Sequence, residues 1–126
     1  MQINLLKAKL HQARVTHTEL KYEGSCAIDS GLMAQSGMLE FEQVQIYNIE
    51  NGERFTTYAI KAEKGSGIIS LNGAAAHKAN VGDRIIICAY AQYGSEELRT
   101  YRPLLIYLNA QNTISRVGHS IVEQVA

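Results

Sequence analysis

The sequence contains no tryptophan, one proline and two cysteines in 126 residues, and its twelve basic and twelve acidic residues cancel. Each scarcity removes a class of molecule. With no electropositive excess to face a phosphate backbone, nucleic acid is not an expected partner. Cys26 and Cys88 lie outside any Cys-x-x-Cys spacing, so they read as small buried hydrophobes and not as a disulfide or metal framework. The four histidines, His11, His17, His77 and His119, show no His-x-x-x-His spacing, and no metal is expected. The longest apolar run, Ile85 to Ala91, falls well short of the roughly 20 residues that a spanning helix needs. Lys7 and Lys9 break the N-terminal stretch before an apolar segment develops, so it does not read as a signal peptide. A cytoplasmic protein without membrane attachment is the expectation.

What is present is a core. At 46% hydrophobic, the chain can bury roughly two-thirds of its unfolded surface as one domain over residues 1–126, with no low-complexity linker to divide it. The periodicity is that of strands: Val44, Ile46 and Ile49 run to Asn51-Gly52, a strong hairpin signal, and "ERFTTYAIKAE" follows. Gly65-Ser66-Gly67 turns the chain into "IISL", and "RIIICAYAQY" and "LLIYLN" add two apolar strands. Short helices are expected at Ser30 to Ser36, after Asn72, and in "SEELRTY", where Ser95 could cap a first turn carrying Glu96 and Glu97. So many strands in a short chain leave edges that closure into a barrel removes. Glu42, Val44 and Ile46 are echoed by Asp83, Ile85 and Ile87, a faint sign of two related halves.

Three Gly-Ser pairs occur, at 24–25, 65–66 and 94–95, and the first stands apart. It lies between two strand-like segments without a second turn residue. A serine hydroxyl can attack the preceding carbonyl when the backbone is held bent, converting the amide to an ester. Glycine at 24 leaves that carbonyl open and tolerates strained dihedrals. Loss of the Ser25 Cα proton then cuts the chain by β-elimination, and the dehydroalanine formed hydrolyses to a ketone, a pyruvoyl group. Three readings stay open at this point. Ser25 becomes a pyruvoyl electrophile, or it remains the N-terminal nucleophile of a self-cleaving hydrolase, or the pair is an inert bend in a non-catalytic binding module.

The segments "KLHQARVT", "YEGSCAID", "NGERFTTYAI", "LNGAAAH" and "VGD" span most of residues 7 to 83. In order and spacing they resemble the bacterial aspartate 1-decarboxylases. The resemblance implies a mainly β fold, a six-stranded double-psi β-barrel with a few short helices. It implies self-cleavage between Gly24 and Ser25 into a short β chain, 1–24, and a longer α chain, 25–126. It also implies pyruvoyl-dependent decarboxylation of L-aspartate to β-alanine and CO2 through a Schiff base, for pantothenate synthesis. The cofactor is then made from Ser25, with neither metal nor pyridoxal phosphate. A homotetramer with active sites between subunits follows from the same likeness, and a maturation factor is a possible partner.

Residue by residue, the resemblance implies that Arg54 and Lys9 hold the substrate carboxylates. A guanidinium fork suits that task, although a solvated strand charge is the ordinary alternative. Thr57 corresponds to a residue that assists cleavage at the Gly24 carbonyl, and it also contacts substrate. Tyr58 corresponds to the proton donor to the carbanion, a task open to a phenol that is protonated at neutral pH. Neighbours on a strand should face opposite ways, so their joint role needs a bent backbone. Asn72, Gly73, Ala74 and Ala75 match a substrate loop, whose small side chains admit a carboxylate to the backbone. His11 and Tyr22 match residues near the site.

Overall fold

The structure, a computed structural model, describes residues 1–126. In chain order it contains β1 (Ile3–Arg14), β2 (His17–Glu19), β3 (Ser25–Asp29), α1 (Ser30–Ser36), β4 (Gln43–Asn48) and β5 (Arg54–Ala62). It continues with β6 (Ile69–Asn72), a 3-10 turn (Gly73–Lys78), β7 (Arg84–Tyr93), α2 (Ser95–Leu98), β8 (Leu104–Leu108) and β9 (Ile114–Gly118). The fold is therefore mainly β with a few short helices. None of these helices is long and apolar enough to cross a membrane.

Strand alternation builds the interior. Along β4, Val44, Ile46 and Asn48 are buried while the residues between them are less so, and β7 turns Ile85 and Ile87 inward. The apolar ones among them join Leu10, Ile28, Ile69, Leu71 and Ile106 in one cluster of 20 buried residues. Each such side chain, fully withdrawn from water, contributes about 1.5–3 kcal/mol. β4 and β7, which carry the echoed residues, run antiparallel with Ile46 opposite Ile87.

The strands hydrogen-bond in the order β2-β6-β3-β5-β4-β7-β1-β8-β9. Nine strands thus stand where six were expected, because the three-residue β2 and the β8–β9 hairpin extend the ladder at its ends. Continuous strand pairing does not close the sheet. Thr16, between β1 and β2, instead links its two parts, its N–H donating to the Ile69 carbonyl at 2.8 Å and its hydroxyl accepting from the Ile69 N–H at 3.0 Å.

Two local expectations are refined. Asn51-Gly52 does mark a hairpin, but the connection spans residues 49–53 and only Gly52 has a positive φ, +76°. Asn51 works through its side chain, which donates to the Lys78 carbonyl at 3.0 Å and accepts from the Glu53 N–H at 2.8 Å. At α2 the cap is Gly94, not Ser95, because the Glu97 carboxylate reaches back to the Gly94 N–H at 2.9 Å.

Two buried polar residues hold turns near the chemistry. Asp29, at the end of β3, accepts from the backbone N–H of Gly31 at 2.8 Å, Gly65 at 3.1 Å and Gly67 at 2.9 Å. Asn112 accepts from the Arg14 N–H at 2.7 Å and donates to the carbonyls of Arg14 and Gly67. The first fixes where β3 ends, and the second ties β1 to the Gly65–Gly67 turn.

Candidate active site

Ser25 opens β3 opposite Asn72 on β6, while its neighbour Cys26 pairs with Ala59 on β5. The strand is buried from its first residue, with Ser25 at 1% exposure, whereas Gly24 just before it is exposed. The Ser25 hydroxyl donates to the Glu23 carbonyl at 2.9 Å, and its oxygen accepts from Asn72 Nδ2 at 3.0 Å. The 3-10 turn starts at Gly73 with φ +65°, and its backbone packs on Gly24: a Cβ at Gly73 would lie 2.6 Å from Gly24 Cα. The backbone of Gly24, just before Ser25, is thus packed against a position that favours glycine.

A hollow of about 320 Å³ opens beside it, with Gly24, Ser25, Asn72, Ala74 and Ala75 in its wall. Phe55, Thr56, Thr57 and Tyr58 form another wall, four consecutive residues that a flat strand would divide between two faces. The explanation lies in β5, which pairs with β4 over Arg54–Tyr58 and with β3 only from Ala59 onward. Its earlier half therefore has a free edge, and the hollow runs along it. A second depression, of about 570 Å³, brings Tyr22 and Phe41 to Ser25 and Tyr58. Tyr58 and Ser25 line both. Thr57 lines the first hollow together with Gly24.

Lys9, Arg54 and His11 do not line either hollow. Arg54 lies over the ring of its cross-strand neighbour Tyr47, with Cζ 3.8 Å from the centroid. The Lys9 ammonium is 5.7 Å from the Tyr107 ring centroid, and Arg116 covers the same ring at 3.9 Å. His11 meets Tyr107 edge-on at 5.3 Å, and its Nδ1 is buried without a partner. Burial, then the charges of Lys9 and Arg116, lower the His11 pKa below the usual histidine value. Burial is also the main influence on the Cys88 thiol, raising its pKa, while Lys9 and Arg54 both act to lower it. The cations thus share one face of the β4–β7–β1 sheet.

Two residues of this region escaped the sequence reading. Lys78 reaches the rim of the Ser25 hollow and pairs with Glu53 at 3.0 Å, and no motif marked it. Ser70 donates to Asn72 Oδ1 at 2.7 Å, a contact hinted at only by the period-two spacing of the two residues on β6. The cysteines are free and buried, and burial raises the Cys26 thiol to about 12. No group of three His, Cys, Asp or Glu side chains is placed to hold a metal ion.

The family described as aspartate decarboxylase matches residues 1–115. Proteins named aspartate 1-decarboxylase from Alcanivorax borkumensis and Thioalkalivibrio sulfidiphilus are 64% and 63% identical over 126 residues, all of both chains. One from Halorhodospira halophila is 62% identical over the same full length.

Proposed function

The chain belongs to the aspartate decarboxylase family and is a carboxy-lyase converting L-aspartate to β-alanine and CO2, and we propose that it does so through a pyruvoyl group made from Ser25. The observation that carries this reading is the setting of Ser25. A buried hydroxyl held by Asn72 and the Glu23 carbonyl follows an exposed glycine and opens onto two hollows. The residues fit the group, since Gly24, Ala74 and Ala75 line the hollow beside Ser25 with no side chain larger than a methyl.

Such a group supplies a conjugated ketone that acts as an electron sink. The chain's own residues do the rest. Asn72, Ala74 and Ala75 border the space for substrate, and Thr57 lines the same hollow as Gly24. The Tyr58 phenol reaches the same space and is the proton donor to the carbon that loses CO2. Arg54 and Lys9 hold the two carboxylates, and His11 stands beside Lys9. Because these cations lie outside the Ser25 hollow of their own chain, the reading includes a homotetramer in which neighbouring copies complete each site. β-Alanine formed in this way serves pantothenate synthesis.

Denaturing mass spectrometry with a carbonyl-reactive hydrazide tests the proposal. The expected result is two fragments divided between Gly24 and Ser25, with a ketone on the larger. Replacement of Ser25 by Ala should leave a folded, uncut and inactive chain. Active wild-type protein of full-length mass, or fragments bearing a free Ser25 amine, would overturn the pyruvoyl reading.

A further inference from the structure

Resting on the pyruvoyl reading, we propose that Ser70 is a positioning residue for self-cleavage, which fixes the direction in which the Asn72 amide faces Ser25. Ser70 and Asn72 stand two apart on β6, on the side opposite the core residues Ile69 and Leu71, and are 6% and 2% exposed. Ser70 Oγ donates to Asn72 Oδ1 at 2.7 Å, Asn72 Nδ2 donates to Ser25 Oγ at 3.0 Å, and Ser25 Oγ donates to the Glu23 carbonyl at 2.9 Å. Side chain to side chain bonds are a minority in folded proteins, and a serine that merely packs in a strand more often turns to backbone.

The relay is polarised from both ends. A carbonyl oxygen only accepts, so the single Ser25 hydroxyl proton is committed to Glu23. Toward Asn72, Ser25 then offers a lone pair, and the amide must present its NH2. The amide oxygen faces Ser70, which donates. Without that hydroxyl the amide oxygen has no donor, and the Ser25 proton can leave Glu23 for a reversed amide, whose two ends have nearly the same shape.

The choice matters because Ser25 Oγ leaves as an anion when the chain is cut. In the acyl shift, the bond from Oγ to the Gly24 carbonyl carbon forms, the bond from that carbon to the Ser25 nitrogen breaks, and the hydroxyl proton ends on that nitrogen. In the elimination, the Ser25 Cα proton passes to solvent and the Cβ–Oγ bond breaks. Its electron pair leaves with Oγ as the Gly24 carboxylate. The dehydroalanine then takes up water and releases ammonia, which leaves the ketone. An N–H aimed at Oγ stabilises the charge that leaves with it in the elimination, so its loss slows that second step, whereas a reversed amide sets one oxygen against another.

The test follows the fresh precursor by denaturing mass spectrometry, with hydroxylamine to reveal any ester. Ser70→Ala should slow cleavage about tenfold, the loss of one neutral hydrogen bond's worth of orientation, and let the hydroxylamine-sensitive ester accumulate. Ser70→Thr, which keeps the hydroxyl, should restore the rate. Ser70→Ala combined with Asn72→Ala should be no slower than Asn72→Ala alone, because Ser70 acts only through the amide. Cleavage of Ser70→Ala at the wild-type rate, or independent effects in the double variant, would overturn the proposal. If Ser70→Ala does not fold, Ser70→Cys, a weak donor of similar size, carries the test: slowing supports the relay and a wild-type rate removes it. A wild-type chain that is not cut after Gly24 defeats the pyruvoyl reading itself, before any variant is compared.

Discussion

Gly73 and Gly24 meet backbone to backbone, and a Cβ on Gly73 would stand 2.6 Å from Gly24 Cα and 2.9 Å from its nitrogen. Neither atom belongs to a flexible side chain that could swing away. Gly73 also has φ +65°, where side chains other than glycine are strained. The contact links the turn after β6 to the bond proposed to break, so its removal should be felt in both stability and processing.

Gly73→Ala should therefore lower stability by about 2 kcal/mol, from steric displacement added to an unfavourable dihedral, and should slow chain cleavage. Thermal unfolding and mass spectrometry read the two effects. An alanine variant that melts and cleaves as wild type would show that the turn can move aside.

Tyr58→Phe removes a hydroxyl from a residue that is 37% exposed and borders both hollows. Cleavage should proceed, since the ring still fills its place against Phe41, and turnover should fall about 100-fold, as for loss of a general acid. Steady-state kinetics on fully processed protein checks this, and unchanged kcat would remove Tyr58 from proton transfer.

Arg54→Ala should raise the KM for aspartate about tenfold or more, with a smaller effect on kcat, because a charge-assisted contact to a carboxylate is lost. Arg54→Lys should rescue little: an ammonium lacks the planar fork, and it cannot stack on the Tyr47 ring as the guanidinium does. Kinetics indifferent to both changes would place the substrate carboxylate elsewhere.

Asp29 gives a pH dependence of defined sign. Burial opposes ionisation of its carboxyl, but the N–H groups of Gly67, Gly65 and Gly31 together outweigh it and hold the pKa below the usual aspartate value. A pKa depressed in the folded state contributes stability that is present above the unfolded value of about 3.9 and is lost as pH falls through the folded one. Asp29→Asn should therefore cost about 2 kcal/mol at neutral pH, and its difference from wild type should shrink below about pH 4. Denaturant titrations at pH 7 and pH 3 test this, and a constant difference would contradict it.

Much of the fold was legible because its signals are local. The apolar alternation of β4 and β7, the short helix over Ser30 to Ser36 and the Asn51-Gly52 hairpin need only neighbouring residues to be read. The partner change of β5 at Ala59 was not legible, since it depends on β3 arriving from residues 25–29. Without it, Thr57 and Tyr58 appear to face opposite ways, and in the fold one hollow reaches both. Ser70 was hidden for a related reason: a strand serine gives no sign of its bond partner until β6 is set beside β3. Lys9 and Arg54 were legible as residues, by resemblance, but their distance from the Ser25 hollow within one chain is a property of the folded sheet.

The position of β1 decides what a cut after Gly24 does to the molecule as an object. That strand lies between β7 and β8, and its Ala8, Leu10 and Ala13 sit in the sealed interior, while β2 remains clasped to β6. The amino-terminal fragment is thus a stave in the middle of the wall and not a flap on its rim. Severing one link in the backbone frees a local end without shedding a piece, so the enzyme can be two polypeptides in composition and still melt as a single body.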